Sequence, residues 1–258
     1  MTRVRSPALS PVVERSLPAG EAPAEDWWFP GRWVGGASLI IGPLTLFVGM
    51  ALRLPFDFFF PQQLAAFHEH PTRMAAGYAV VAAGHVLLFP AVATLARLIG
   101  ATRPGLAVWG GMLTILGLFA RTFHAGVSHM AFEIERADGV AAATRLVGMS
   151  YGAFYVFHVL SPAIMFGWLV LAVGAYRSRT LAFVPSVALG LMSCLMMGVL
   201  KGTSLVSMLV TGALCIALVP LGVRVLRDGP APAPRDVARW TAIVVVVAVG
   251  FYFLGEAG

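Results

Sequence analysis

The chain has 258 residues, 59% of them hydrophobic and 12% charged, with a mean hydropathy of +0.83 and a formal net charge of +6. Soluble domains carry roughly a quarter charged residues, and half that share cannot keep a whole surface wet, which excludes a water-soluble globular protein. The basic balance does not indicate nucleic acid either, because the arginines sit in short loops between apolar runs, where they act as topology signals.

Residues 1–27 are rich in Pro, Ala and Glu and have no apolar core, so they are expected to form a disordered cytoplasmic tail rather than a signal peptide. Trp27, Trp28, Phe29 and Trp33 follow as an aromatic anchor of the kind that sits at headgroup level. From there to residue 258 we expect one polytopic transmembrane domain. Seven apolar stretches, each near the ~20 residues needed to cross a bilayer, fall at 33–53, 74–96, 105–125, 149–175, 181–200, 204–223 and 239–255. The last carries a β-branched run, Ile243 to Val247, but a lone span in lipid must satisfy its own backbone and is therefore read as helical. The expected fold is an all-α bundle of about seven transmembrane helices.

Arginine bias orients this bundle. With the amino terminus inside, twelve arginines fall on the inner side (Arg3, Arg5, Arg15, Arg32, Arg97, Arg103, Arg177, Arg179, Arg224, Arg227, Arg235 and Arg239). Five basic residues fall outside (Arg53, Arg73, Arg136, Arg145 and Lys201), and Arg121 lies within the third span. The positive-inside rule then gives N-in, C-out in a bacterial cytoplasmic membrane, a source suggested by the Arg, Ala, Val and Gly bias. The fifth and sixth spans, joined at Lys201 and Gly202, read as an antiparallel hairpin. Its facing stripes are Ser186, Gly190, Cys194, Gly198 and Thr203, Ser207, Thr211, Cys215. Both cysteines read as packing residues, and no CxxC site or disulfide framework exists.

The six histidines, His68, His70, His85, His124, His129 and His158, all fall in the outer half or on its loops. Three spans carry polar stripes at helical spacing: Tyr78 and His85 on the second; Thr114, Gly117, Arg121, His124 and Ser128 on the third; Tyr151, Tyr155, His158 and Ser161 on the fourth. At 1.5 Å per residue the stripes overlap in depth, on the order of 13–17 Å below the outer ends for His85 and His158. Pro162 removes the helical donor for the His158 carbonyl, which adds a polar group at that depth. A charge inside a membrane is costly, about 2.5–3.5 kcal/mol for a central Arg on insertion scales. No Asp or Glu lies in any span to pair with Arg121, so its expected partners are backbone carbonyls, Glu133 or Glu135 from the outer loop, or an anionic ligand. Snorkelling to the interface is the structural alternative.

These residues predict an outward-facing polar cavity that binds a small ligand or cofactor, with His85, His158, Arg121, His124, Tyr78, Tyr151 and Tyr155 as its candidate residues. Haem b or a transition metal between the second and fourth spans is one candidate occupant. On the outer loops His129 and Glu133 form an i, i+4 pair, a faint metal-site pattern, while His68-Glu69-His70 reads as a solvated turn. Two other classes compete. One is a regulatory, immunity or assembly protein acting through helix–helix contacts. The other is a small-molecule transporter, disfavoured by the lack of carboxylates in the spans. The residues do not decide whether any reaction is catalysed.

Overall fold

The computed structural model describes residues 28–150, 156–195, 198–229, 231 and 233–257. These form α1 (Arg32–Arg53), α2 (Gln62–Glu69), α3 (Pro71–Gly100), α4 (Pro104–Ser150), α5 (Val156–Arg177), α6 (Phe183–Gly190) with a 3₁₀ turn at Leu191–Cys194, α7 (Leu205–Arg227) and α8 (Pro234–Ala257). The expected tail 1–27 lies outside the described residues. Six helices are long and apolar enough to cross a membrane: α1, α3, α4, α5, α7 and α8. That length and composition mark a multi-pass membrane protein.

Small residues bring the first two long helices together. Gly35, Gly42 and Gly49 recur every seven residues on α1 and face Thr94, Leu87 and Val81 of α3. A methyl added at Gly49 would lie 2.7 Å from the Val81 backbone nitrogen, and one at Gly84 would lie 2.8 Å from that of Leu46. The same device joins α1 to α7, where Gly36 and Gly222 meet. It also joins α4 to α5, where Gly110 abuts Leu171 and Gly117 abuts Ile164. Small-residue contacts suit a membrane bundle, where close packing rather than water exclusion drives association. The main core (Leu39, Leu46, Leu88, Leu95, Leu118, Trp168, Leu171, Leu214) runs between these helices.

At about 45 Å, α3 exceeds the ~30 Å hydrocarbon core, and the first 35 residues of α4 are longer still. Their overhang meets α2 in a second apolar cluster of Leu64, Phe67, Met74, Ala131, Phe132, Ala143, Val147 and Leu200. Phe67 stacks on Phe132 with centroids 4.1 Å apart. Gly139, at φ 82°, interrupts the helical geometry of α4 and allows Ala143 and Val147 to join this cap. The third span therefore extends well past the 105–125 expected from hydropathy.

The fifth stretch, expected as a continuous helix over 181–200, is broken. Helix α6 and its 3₁₀ turn reach Cys194 and cover about 20 Å, short of the membrane core. Yet this part of the chain crosses the whole bundle. Arg224, near the end of α7, donates to the Thr180 carbonyl at 3.5 Å, and Gly202 N–H donates to the Phe58 carbonyl at 2.8 Å, beyond the other end of α1. Leu195 and residues Gly198 to Ser204 are non-helical. Leu195 is extended, Gly198 has φ 142° and the fully buried Leu200 has φ 49°, a left-handed conformation that costs a branched residue of order 1–3 kcal/mol.

At the other extreme, α8 packs against no other described element, and every residue from Pro234 to Gly255 is exposed.

Candidate functional site

The break in the fifth stretch opens onto a cavity of about 50 Å³ at the boundary of the two apolar clusters. That is room for a few water molecules. Its walls come from α1 (Met50, Arg53), α3 (Tyr78, Val81, His85), α4 (Arg121, His124, Ala125, Ser128), the non-helical segment (Leu195, Gly198, Lys201, Gly202) and the first turn of α7 (Ser207).

The polar side chains here hold the backbone that the broken helix leaves without partners. Arg121 Nη2 donates to the Leu195 carbonyl at 3.1 Å. The Ser128 hydroxyl accepts from Leu200 N–H at 3.2 Å and donates to the His124 carbonyl at 2.8 Å. Arg53 Nη1 donates to the Lys201 carbonyl at 3.1 Å, and its Nη2 lies 3.2 Å from the Met50 sulfur. Irregular backbone at membrane depth is tolerated only where protein or a polar cavity satisfies it, and these contacts meet that requirement. Helix α7 then restarts on a capping box, in which the Ser204 hydroxyl accepts from Ser207 N–H at 3.2 Å and the Ser207 hydroxyl from Ser204 N–H at 3.3 Å.

Arg53 is the least expected member. It is 3% exposed, although the end of a span is where an arginine ordinarily snorkels. Its guanidinium lies 4.3 Å from the Tyr78 ring centroid, a cation–π contact strengthened by burial. Tyr78 donates in turn to Gln63 Oε1 at 2.9 Å, and Gln63, fully buried, donates to the Asp57 carbonyl. One signal in the sequence marks it: Arg53 follows Gly49 by four residues and so continues the glycine stripe that faces α3.

Of the residues expected in the cavity, Tyr78, His85, Arg121 and His124 line it together. His85 sits midway along α3, 5% exposed, and its Nδ1 makes no hydrogen bond to any described residue. His124 is 7% exposed. Tyr151 and Tyr155 lie outside the described residues. His158 falls on α5, but its side chain is not described, and no described residue of α5 lines the cavity. On the cap, Glu133 pairs with Arg136 at 2.9 Å while His129 is exposed. The buried Glu135 binds His68 Nδ1 at 2.7 Å, which ties α4 to α2. Arg121 thus uses a backbone carbonyl from another element, and neither loop glutamate reaches it.

Two guanidinium groups and the Lys201 side chain line or border the cavity, and no Asp or Glu is among its described lining residues. A divalent metal there would face concentrated positive charge. No group of three His, Cys, Asp or Glu among the described residues can hold a metal ion, and a cavity of this size does not admit a macrocycle. Among the described residues the donor set does not fit haem or a metal cation.

The small-residue stripes of the fifth and sixth stretches are only partly internal: Cys194, expected as a packing residue, is exposed. Gly190 packs on Ala172 of α5, and Ser207 and Thr211 are buried.

No family model, curated protein or solved structure matches this chain.

Proposed function

We propose that this multi-pass membrane protein binds a small polar ligand in the cavity between α1, α3, α4 and the broken fifth crossing. The observation that carries this reading is the break itself. A helix interrupted within the bundle, opening onto buried charged side chains, is how membrane carriers build substrate sites, because the freed backbone and helix end become ligand-facing polar groups. A purely structural role would be served by an unbroken helix and apolar walls, without burying Arg53 and half-burying Arg121.

On the arginine bias the cavity opens toward the extracytoplasmic side, so the ligand arrives from outside the cell. Whether it then crosses is a separate step. Among the described residues the broken crossing is held by side-chain contacts rather than by its own helical ladder, and this favours binding with transport over binding alone.

The test is ligand-dependent thermal unfolding of the purified full chain across cationic, neutral and anionic small solutes, beside Arg121→Gln. At least one class is expected to raise the midpoint saturably, with the shift lost in the variant. If no solute stabilises the wild-type protein, or if the variant responds as wild type does, the cavity is not a ligand site.

A further inference from the structure

Given that binding reading, we infer that the ligand is a small oxyanion, of the carboxylate or phosphate class, gripped by Arg53 and His85 beneath the start of α7. Four observations converge on this class. The charges lining or bordering the cavity are positive: Arg53, Arg121 and Lys201, with no carboxylate among the described lining residues. The nearby acids are engaged elsewhere, Glu135 with His68 and Glu133 with Arg136.

Arg53 leaves a donor over, and the His85 ring nitrogen donates in one of its two tautomers. Arg53 Nε and His85 Nδ1 are buried without a hydrogen-bond partner among the described residues, although Arg53 is 3% and His85 5% exposed. A buried polar atom in that condition marks a missing partner, and a guanidinium N–H demands an acceptor. Two lining carbonyls already accept: Leu195 from Arg121 and Lys201 from Arg53. A cation entering the cavity would meet guanidinium groups and no carboxylate among the described lining residues.

The helix end agrees in sign. Helix α7 is 23 residues long and begins at the cavity, with Ser207 in the wall. Its amino terminus contributes a partial positive charge in the same direction as the side chains. Size sets the remaining limit. About 50 Å³ admits an inorganic oxyanion or a carboxylate of one or two carbons, or the headgroup phosphate of a lipid whose chains stay outside. Guanidinium forks match oxyanions better than spherical halides, because two parallel N–H bonds find two oxygens.

Thermal unfolding of the full chain in detergent, at matched ionic strength, distinguishes these cases. The probes are sodium acetate, formate, nitrate, sulfate and phosphate against sodium chloride, with ammonium and glycerol as the cationic and neutral arms. At least one oxyanion is expected to stabilise saturably beyond chloride. Its apparent affinity should fall about tenfold or more in Arg53→Gln and in His85→Phe, the scale of one lost charge-assisted bond. Should Arg53→Gln fail to fold, Arg53→Lys keeps the charge and removes the fork, and it should weaken the oxyanion more than chloride. Vesicles of phosphatidylcholine with and without phosphatidic acid separate the sources: a shift only with the acidic lipid assigns the site to a headgroup phosphate. Stabilisation by ammonium or glycerol alone would overturn the oxyanion while leaving the binding cavity in place. Equal response to chloride and oxyanions would also overturn it, and silence from every probe would remove both readings.

Discussion

Two crossings of this bundle solve the same problem in opposite ways. Helices α1 and α3 run as continuous helices, their backbones brought together by Gly35, Gly42, Gly49, Gly77 and Gly84, and the helical ladder holds their backbone except where Pro43 and Pro90 each remove one donor. From Ala182 to Leu195 and from Gly198 to Ser204 the chain is a short helix, a 3₁₀ turn and irregular backbone, whose polar groups at Leu195, Leu200 and Lys201 are met from outside by Arg121, Ser128 and Arg53. The first crossing needs small residues and tolerates nothing larger. The second needs buried charge and tolerates no loss of a donor. Polar side chains in this protein therefore collect where the helix fails, and the cavity is the consequence of that failure.

If this division holds, the rods should be the more fragile to added volume. Gly84→Val is expected to abolish the folded protein, since its Cβ would lie 2.8 Å from the Leu46 nitrogen and 3.0 Å from its Cα, atoms that cannot rotate away. Overpacking costs about 1–3 kcal/mol where side chains can yield, and more against backbone. Gly126→Ala on α4, with nothing within 4 Å, is the control and should behave as wild type. Recovery of monodisperse protein after solubilisation reads the difference. A well-behaved Gly84→Val protein would mean that α1 and α3 are not in such close register.

The broken crossing should respond to lost donors instead. Arg53→Met keeps much of the side chain's bulk but leaves the Lys201 carbonyl without its main donor, a loss of about 1–3 kcal/mol for a buried group. The effect should concentrate in the segment, so hydrogen exchange of Leu200 and Gly202 should accelerate while α1 and α3 amides keep their protection. Uniform acceleration throughout would show that Arg53 supports the whole bundle rather than this crossing.

A smaller effect is expected at the point where the helix restarts. Ser204→Ala removes the capping hydroxyl from α7, about 1 kcal/mol by the usual cost of such a cap, read as a modest drop in the unfolding midpoint. An unchanged midpoint would imply that the first turn of α7 is held by its neighbours alone.

The contrast also explains which parts of the fold are legible from residues alone. Continuous apolar runs such as those of α1, α3, α7 and α8 are readable because lipid imposes both length and helicity on them. The stripe of Tyr78 and His85, and that of Arg121, His124 and Ser128, converge on one cavity because consecutive long helices pack side by side. The break does not show, because Leu191 to Leu200 is as apolar as a span and its only local signals, Gly198, Lys201 and Gly202, suit a hairpin turn equally well. Gly202 is selected by a distant contact: a Cβ there would lie 2.8 Å from both the Asp57 carbonyl and Phe58 Cα. Arg53 is marked only by its register with the glycine stripe of α1, since a terminal arginine otherwise looks identical whether it snorkels or turns inward over Tyr78.

The smallest effect should come from the element that belongs to neither crossing. Helix α8 is apolar from Trp240 to Leu254, with Ile243 to Val247 and the aromatic run Phe251, Tyr252 and Phe253 all exposed, and it touches no other described helix. Its burial against lipid stabilises its own insertion but adds no contact to the core of Leu39, Leu46, Leu88 and Leu214. Ending the chain at Gly229 should therefore leave the midpoint of the remaining bundle within about 0.5 kcal/mol of its full-length value, the range of changes away from packed features. The comparison must be made in the same detergent, because α8 alters the micelle the protein carries. A drop of several degrees would show that α8 docks on the bundle. The open groove beside α5 and α6, where Phe183 and Val187 are exposed, would then be the first place to map its contacts by cross-linking.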